Sequence, residues 1–405
     1  MSHHMSRGRK VICLVDFRVT GHHPLYLSHF AKAFQSLNYD VDIYTSDKDK
    51  CRELLLQALP SLDLTNIAFL HTNAATHTQN RKFGCRSFFK LIELQQEIEH
   101  QENVSGIEYE LVFFAYLDDI THPDFNLPYI IKTPFTKKFS GLLMSPREKT
   151  LERPTFPLNL LLTSIIERKN ANIPEVGLLV EDVETEMNKK INRRTVTYPD
   201  FCSINTLNSG EFPLVDILLE RKKNRLVSSL LGSIRSHKSV DLFLDCIQTA
   251  DPSKHFFVMA GKFAWHSFTS NQREMIKKII SNPPENLLVH DDWLESEAMF
   301  DTIVQVSDIL FAYYRGFKKS SNLLTKGAVY KVPVIVSNEY LMGERVRKYE
   351  LGYSLSEPQV VELYKQAEWK KFEFNETLRS EFERIHSVDR ITDIFASLLK
   401  LGDAR

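Results

Sequence analysis

Residues 10–45 read KVICLVDFRVTGHHPLYLSHFAKAFQSLNYDVDIYT, and the hydrophobic period changes twice inside them. Lys10 to Asp16 is a short run rich in Val and Ile, as a strand covered on both faces requires. Leu27, Phe30, Ala31, Phe34 and Leu37 then recur at steps of three and four, which makes one stripe of a helix. Val41 to Thr45 returns to the composition of a strand. Strand, loop, helix, strand is the unit from which parallel sheets are wound, so an α/β fold is expected.

The alternation continues outward. Further strand candidates in the first half are Ile67 to Leu70, Leu111 to Ala115, Gly141 to Met144 and Val176 to Val180, enough for one doubly wound domain. After Lys189 the sequence turns polar and irregular through Thr197, Pro199, Asp200, Ser209 and Gly210, which marks a domain junction. A second series follows, with strands expected at Leu226 to Ile234, His255 to Ala260, Asn286 to Val289, Asp308 to Ala312 and Val332 to Val336. Helices are expected at Val240 to Ile247, Ala298 to Val306 and Asn322 to Tyr330, and only helical periods remain beyond Glu357. The expected division is 1–200 and 201–385, followed by a terminal helix over 386–405 that can pack back on the first domain.

A chain of 405 residues is too long for one small core, which agrees with two domains. Hydrophobic residues at 43% and charged residues at 25% exclude a disordered or fibrous chain. Lys and Arg (51) nearly balance Asp and Glu (52), so the basic excess of a dedicated nucleic-acid binder is missing. The five cysteines are scattered and never form C-x-x-C, which argues against a disulfide framework or a structural zinc and points to a reducing cytosol. Met1 to Lys10 is polar and basic, and Val11 to Phe17 is too short for a signal core or a spanning helix, so a cytoplasmic protein is expected.

In open α/β sheets ligands bind beyond the carboxyl ends of strands, so the chemistry is sought in those loops and in the cleft expected between two sheets. Gly21 and His22 lie in the first such loop, ahead of Pro24, and free helix amides there would suit a phosphate. The loop lacks the full G-x-G-x-x-G series, and adjacent His22 and His23 rarely converge on one metal. In the second domain Arg235 and Lys238 stand at a helix start, where their charges oppose the dipole unless an anion binds. Ser320, Ser321 and Asn322 open another helix, either as caps or as donors to a diphosphate. After the fourth strand come Tyr116, Asp118, Asp119 and His122, able to position an acceptor hydroxyl or take its proton, or to form an ordinary polar loop. Asp47-Lys48-Asp49 spells D-x-D but reads as a solvated helix start.

The second half resembles the nucleotide-sugar domain of GT-B glycosyltransferases, particularly the family 4 type. The residues carrying the likeness are Leu231-Gly232 with Lys238 and Val240-Asp241, Phe257 to Gly261, Val289-His290 through Trp293, Ser307 to Leu310, and Val332 to Ser337 with Gly352. Gly21, its following helix and Tyr39-Asp40-Val41 are similar to the family's first strand, loop and helix. Two departures stand out: Ser233 occupies the place of the family's arginine, and Lys318 and Lys326 fall where it carries two glutamates with seven residues between them. If Lys326 faces the cleft, exchanging it for Glu would alter nucleotide preference or affinity rather than global stability; otherwise it is a surface lysine.

The resemblance implies two Rossmann-like domains facing across a cleft, with C-terminal helices, and a retaining, metal-independent transfer from a nucleotide sugar. No cofactor is implied, because the nucleotide sugar is a substrate. Lys238, Arg235 and His122 are the candidate catalytic residues. Donor binding is expected of Gly21, His22, Gly261, Lys262, Ser320, Ser321, Asn322 and Lys326, and acceptor binding of Asp118 and Asp119. The acceptor would be a carbohydrate, a lipid-linked group or another hydroxyl compound, the last two compatible with peripheral contact at the inner face of a membrane. The rival readings are a non-catalytic nucleotide or sugar binder and a sugar-nucleotide epimerase.

Overall fold

The structure, a computed structural model, describes residues 10–20, 23–74, 85–122, 124–146, 151, 162–202, 204–205, 210–366 and 372–403. The chain forms two compact units, one of Met1–Pro199 with Val388–Arg405 and one of Asp200–Ser387.

In the first unit the strands are β1 (Val11–Val15), β2 (Asp40–Thr45), β3 (Ile67–His71), β4 (Tyr109–Phe114), β5 (Asp124–Phe125), β6 (Phe139–Leu143), β7 (Leu162–Thr163), β8 (Val176–Leu178) and β9 (Thr195–Thr197). Its helices are α1 (His23–Ser36), α2 (Lys48–Ala58), α3 (Arg86–Ser105), α4 (Asn126–Ile131) and α5 (Glu184–Ile191). Seven strands make one sheet in the order β3-β2-β1-β4-β6-β8-β9, and β5 pairs with β7 apart from it. Every residue of β1 is buried, which is why its run is uniformly apolar rather than alternating. β1 runs parallel to β2, with Ile12 beside Val41, and to β4, with Ile12 beside Leu111. Strand order reverses between β1 and β4, so their carboxyl ends flank an open crevice position.

The second unit holds β10 (Leu226–Leu231), β11 (His255–Ala260), β12 (Leu287–His290), β13 (Ile309–Phe311), β14 (Val334–Ser337) and β15 (Gly352–Leu355). The order β12-β11-β10-β13-β14-β15 again reverses beside the first strand, between β10 and β13. Its helices are α6 (Pro213–Lys222), α7 (Val240–Thr249), α8 (Ser270–Ser281), α9 (Glu297–Val306), α10 (Asn322–Tyr330), α11 (Tyr340–Tyr349), α12 (Glu357–Lys365) and α13 (Glu376–Ile385). Gly327 lets α10 lie against the sheet, since a Cβ there would meet Val334 Cγ1 at 2.7 Å.

The last helix, α14 (Asp389–Asp403), belongs to the first unit. Phe395 stacks on Phe34 of α1 at 4.0 Å between ring centroids and meets Phe30 and Phe113 edge-on. Asp47 caps α2 by accepting from the Lys50 amide at 3.1 Å, as a solvated helix start should. All five cysteines are free thiols. No helix among the described residues is long and apolar enough to cross a membrane.

Candidate functional site

The switch point of the second unit is built around two glycines. Gly232 follows β10 with φ 82° and Gly261 follows β11 with φ 140°, and a Cβ on Gly261 would fall 2.0 Å from the Gly232 carbonyl oxygen. Only glycine tolerates both the backbone and the approach. Beyond Gly232 the chain makes one tight turn over Ser236–Lys238, passes through Ser239 at φ 50° and enters α7. Lys238 does not point along α7. Its Nζ turns back to donate to the Leu231 carbonyl at 2.6 Å and lies 5.4 Å from the Tyr314 ring centroid. Arg235 Nε donates to Ser233 Oγ at 3.2 Å. Neither cation forms an ion pair among the described residues.

A second loop, after β13, locks onto the first. The Arg315 amide donates to the His237 carbonyl at 2.8 Å, while its guanidinium grips Asp241 and Glu357, each through two bonds. His237 stacks parallel on Phe317 at 5.5 Å and meets Tyr314 edge-on. Burial pushes the His237 ring down to about 4, helped by Lys238, Arg235 and Lys319. Burial is the larger cause, and the three cations beyond β10 and β13 add to it.

The start of α10 has a different task from the one its sequence suggests. Ser320 Oγ donates to Asp200 Oδ2 and accepts from Arg345, Asn322 Nδ2 donates to the Phe201 carbonyl at 2.7 Å, and Thr325 Oγ1 donates to the Asp200 carbonyl at 2.6 Å. These groups clasp the segment at which the second unit begins. Ser321 is the cap residue but makes no side-chain cap bond. Lys326 is buried and paired with Asp301, and with Glu297 at 3.0 Å. Burial works against its ammonium, but the two carboxylates hold it charged. A donor role for Ser320, Asn322 or Lys326 would require these bonds to be exchanged. Lys262, too, has partners, with Asp292 Oδ1 at 3.5 Å and Asp291 Oδ1 at 4.0 Å.

In the first unit Gly21 and His22 lie outside the described residues. The two loops around them do meet. At the carboxyl end of β1, buried Asp16 takes His23 Nδ1 at 2.9 Å to each oxygen, and the Arg18 amide donates to its Oδ1 at 3.0 Å. His23 stacks on Tyr116, after β4, at 4.0 Å. Arg18 Nη2 donates to Asp119 Oδ1 at 2.5 Å. Lys90, from α3, sits with Nζ 3.7 Å from the Phe17 ring centroid. Burial lowers its ammonium to about 8, against the opposing pull of Asp119. Burial likewise raises the Asp16 carboxyl, with His23 opposing, and lifts the Tyr116 phenol to about 12.

Asp118 turns away from this group: its carboxylate accepts from the Met144 amide at 2.7 Å and the Ser145 amide at 3.0 Å, fixing the loop after β6. Both Asp118 oxygens thus serve the backbone, and an acceptor role would have to share or exchange these bonds. Among Asp16, Arg18, His23, Lys90 and Asp119 no bond goes to His122, whose carbonyl accepts from Ser87 Oγ at 3.2 Å. Asp16, Lys90, His237 and Arg315 were missed. Asp16 carries a weak signal, an acid ending an apolar strand run, whereas nothing in the period of α3 distinguishes Lys90. No three His, Cys, Asp or Glu side chains among the described residues converge as a metal site would need.

No protein-family model matches the chain, and no curated protein matches it in sequence. Solved structures do. HepE of Anabaena, in complex with UDP and glucose, is similar at a TM-score of 0.66 and 12% identity, over 96% of this chain and 99% of that one. A glycosyltransferase from Rickettsia africae reaches 0.64 at 12% identity, over 98% and 99%. Sucrose-phosphate synthase from Thermosynechococcus elongatus reaches 0.63 at 11% identity, over 97% and 98%. At such identities the likeness is one of fold, the two-domain GT-B arrangement of Rossmann-like units.

Proposed function

We propose that the protein is a glycosyltransferase that moves a sugar from a nucleotide sugar to a hydroxyl acceptor, the second unit holding the donor and the first the acceptor. The observation that carries this reading is the pair of cations, Arg235 and Lys238, that lack carboxylate partners among the described residues at the switch point of the second sheet. In the transfer the bond from the anomeric carbon to the diphosphate oxygen breaks and a bond to the acceptor oxygen forms. The acceptor proton leaves with the nucleoside diphosphate, whose growing charge Lys238, Arg235 and the amides beyond Gly232 would meet without a divalent metal. The likeness to the family 4 type adds retention of anomeric configuration. HepE has been crystallised with UDP-glucose, which makes uridine diphosphate sugars the first donors to try.

A non-catalytic nucleotide binder is the second reading, favoured by one observation: Lys326, at a position where the family carries a glutamate, is turned into a buried pair. Turnover separates the readings. A transferase consumes acceptor, an epimerase converts the nucleotide sugar alone, and a binder does neither. In a thermal-shift panel of nucleotide sugars with chelator present, at least one ligand at one hundred times its dissociation constant should stabilise the protein by about 2.7 kcal/mol. A flat panel would remove the proposal, and a response that appears only on adding manganese would remove its metal-independent form.

A further inference from the structure

Two polar groups in the first unit lack the partners their burial demands. Lys90 is 8% exposed, and its ammonium makes no hydrogen bond or ion pair among the described residues, only a contact with the face of Phe17. Asp119 has a side chain 6% exposed; its Oδ1 accepts from Arg18, but its Oδ2 is buried with no partner. An unpaired buried carboxylate oxygen and an unpaired buried ammonium are each costly states that a native structure keeps only for a reason. Their contacts fall on successive residues, Lys90 on the Phe17 ring and Asp119 on the Arg18 guanidinium, which brings both to the loop after β1. Yet no ion pair closes between them, so both are left with hydrogen-bonding capacity at the carboxyl ends of β1 and β4.

One surplus donor beside one surplus acceptor selects the ligand chemistry. An anion would satisfy Lys90 and be repelled by Asp119, and a cation would do the reverse. Two adjacent hydroxyls satisfy both, one oxygen accepting from the ammonium while the neighbouring hydroxyl donates to the carboxylate. We propose that Lys90 and Asp119 form a vicinal-diol site that holds two neighbouring hydroxyls of a carbohydrate. That this carbohydrate is the acceptor rests on the glycosyl-transfer reading above. Asp119 Oδ2 is closed over in this state, so engagement requires its carboxylate to turn, which its single bond to the exposed Arg18 permits. Lys90 and Asp119 come from α3 and from the loop after β4, elements whose separation in sequence hides the pair.

The test uses the low basicity of Lys90 as a reporter and contains no nucleotide, so its outcome is independent of whether the second unit binds a donor. The whole protein is acylated by a small N-hydroxysuccinimide ester at about pH 8, where about half of such an amine is unprotonated and ordinary lysines almost none, and the rate at Lys90 is followed by mass spectrometry. Methyl glucoside, mannoside and galactoside are added in turn at about 100 mM, above the millimolar constants a few hydrogen bonds supply. At least one should slow labelling of Lys90 roughly threefold or more, its analogue lacking one hydroxyl of the recognised pair should not, and inorganic phosphate should not. Protection by no glycoside, or by phosphate as strongly as by any glycoside, overturns the proposal. Asp119→Asn should keep Lys90 reactive and lose the protection; retained protection would remove Asp119 from the site. Should that variant fail to fold by circular dichroism, the parent footprint decides alone.

Discussion

Lys326 lies between Asp301 and Glu297, its side chain 3% exposed and that of Asp301 fully buried. Removing one partner from such a pair leaves the other as an uncompensated charge, which costs about 3–5 kcal/mol. Lys326→Met should therefore lower the stability of the second unit by that order in urea denaturation, and Lys326→Glu, which gathers three carboxylates, should do at least as much. A variant as stable as the parent would mean that the pair does not form in solution. Spacing alone placed Lys326 where the family carries a nucleotide-facing acid. It could not reveal that Asp301, one helix earlier in sequence and in contact in space, had already taken the ammonium. Lys238 was more legible, because a cation at the first turn of a helix after a strand and a glycine already implied something negative nearby. What the sequence could not show was its backward turn onto the Leu231 carbonyl.

The loops beyond β10 and β13 act as one element, joined through the Arg315 amide on the His237 carbonyl and the stacking of His237 on Phe317. In the free protein the His237 ring takes its proton only near pH 4, below the ordinary 6.5, because it is buried and has cations around it. A diphosphate bound among those cations would raise the ring's pKa toward its ordinary value. Between about pH 4 and 6.5 binding should then take up protons, and affinity should fall as pH rises through that window. Calorimetry with UDP-glucose at about pH 5.5, midway between those values, in two buffers of different ionisation enthalpy, reads this uptake directly. His237→Gln should abolish it, and zero uptake by the parent would place the diphosphate elsewhere. Strands such as β11 were legible as uninterrupted apolar runs. Helix α6 was not, since exposed Ile217 and Leu219 blur the stripe made by Val215 and Leu218. Helix α8 carried a readable cap, Thr269 with Gln272, but buries only Ile276 and so has almost no apolar stripe.

At the scale of the whole chain, two sheets wound in the same order each reverse beside their first strand, and each gathers polar groups at that reversal. The repeated architecture was legible from period alone, whereas the bonds that complete each site cross long sequence separations that no local pattern records. The C-terminal helix returns to the first unit through Phe395, wedged among Phe30, Phe34 and Phe113. Phe395→Ala should destabilise that unit by about 3–5 kcal/mol, visible as an early transition in calorimetric melting. An unchanged melting profile would detach α14 from its core. The central claim is that Arg235 and Lys238, which have no carboxylate partner among the described residues, receive the diphosphate of a nucleotide sugar. Its most direct test is a calorimetric titration of UDP and UDP-glucose, in chelator, into the parent and into Lys238→Met, which keeps an unbranched apolar stem and removes the charge. The account predicts metal-free binding by the parent and a dissociation constant at least about tenfold weaker in the variant, with its fold intact by circular dichroism. Equal affinity in a folded Lys238→Met, or no binding of either ligand to the parent, would contradict it.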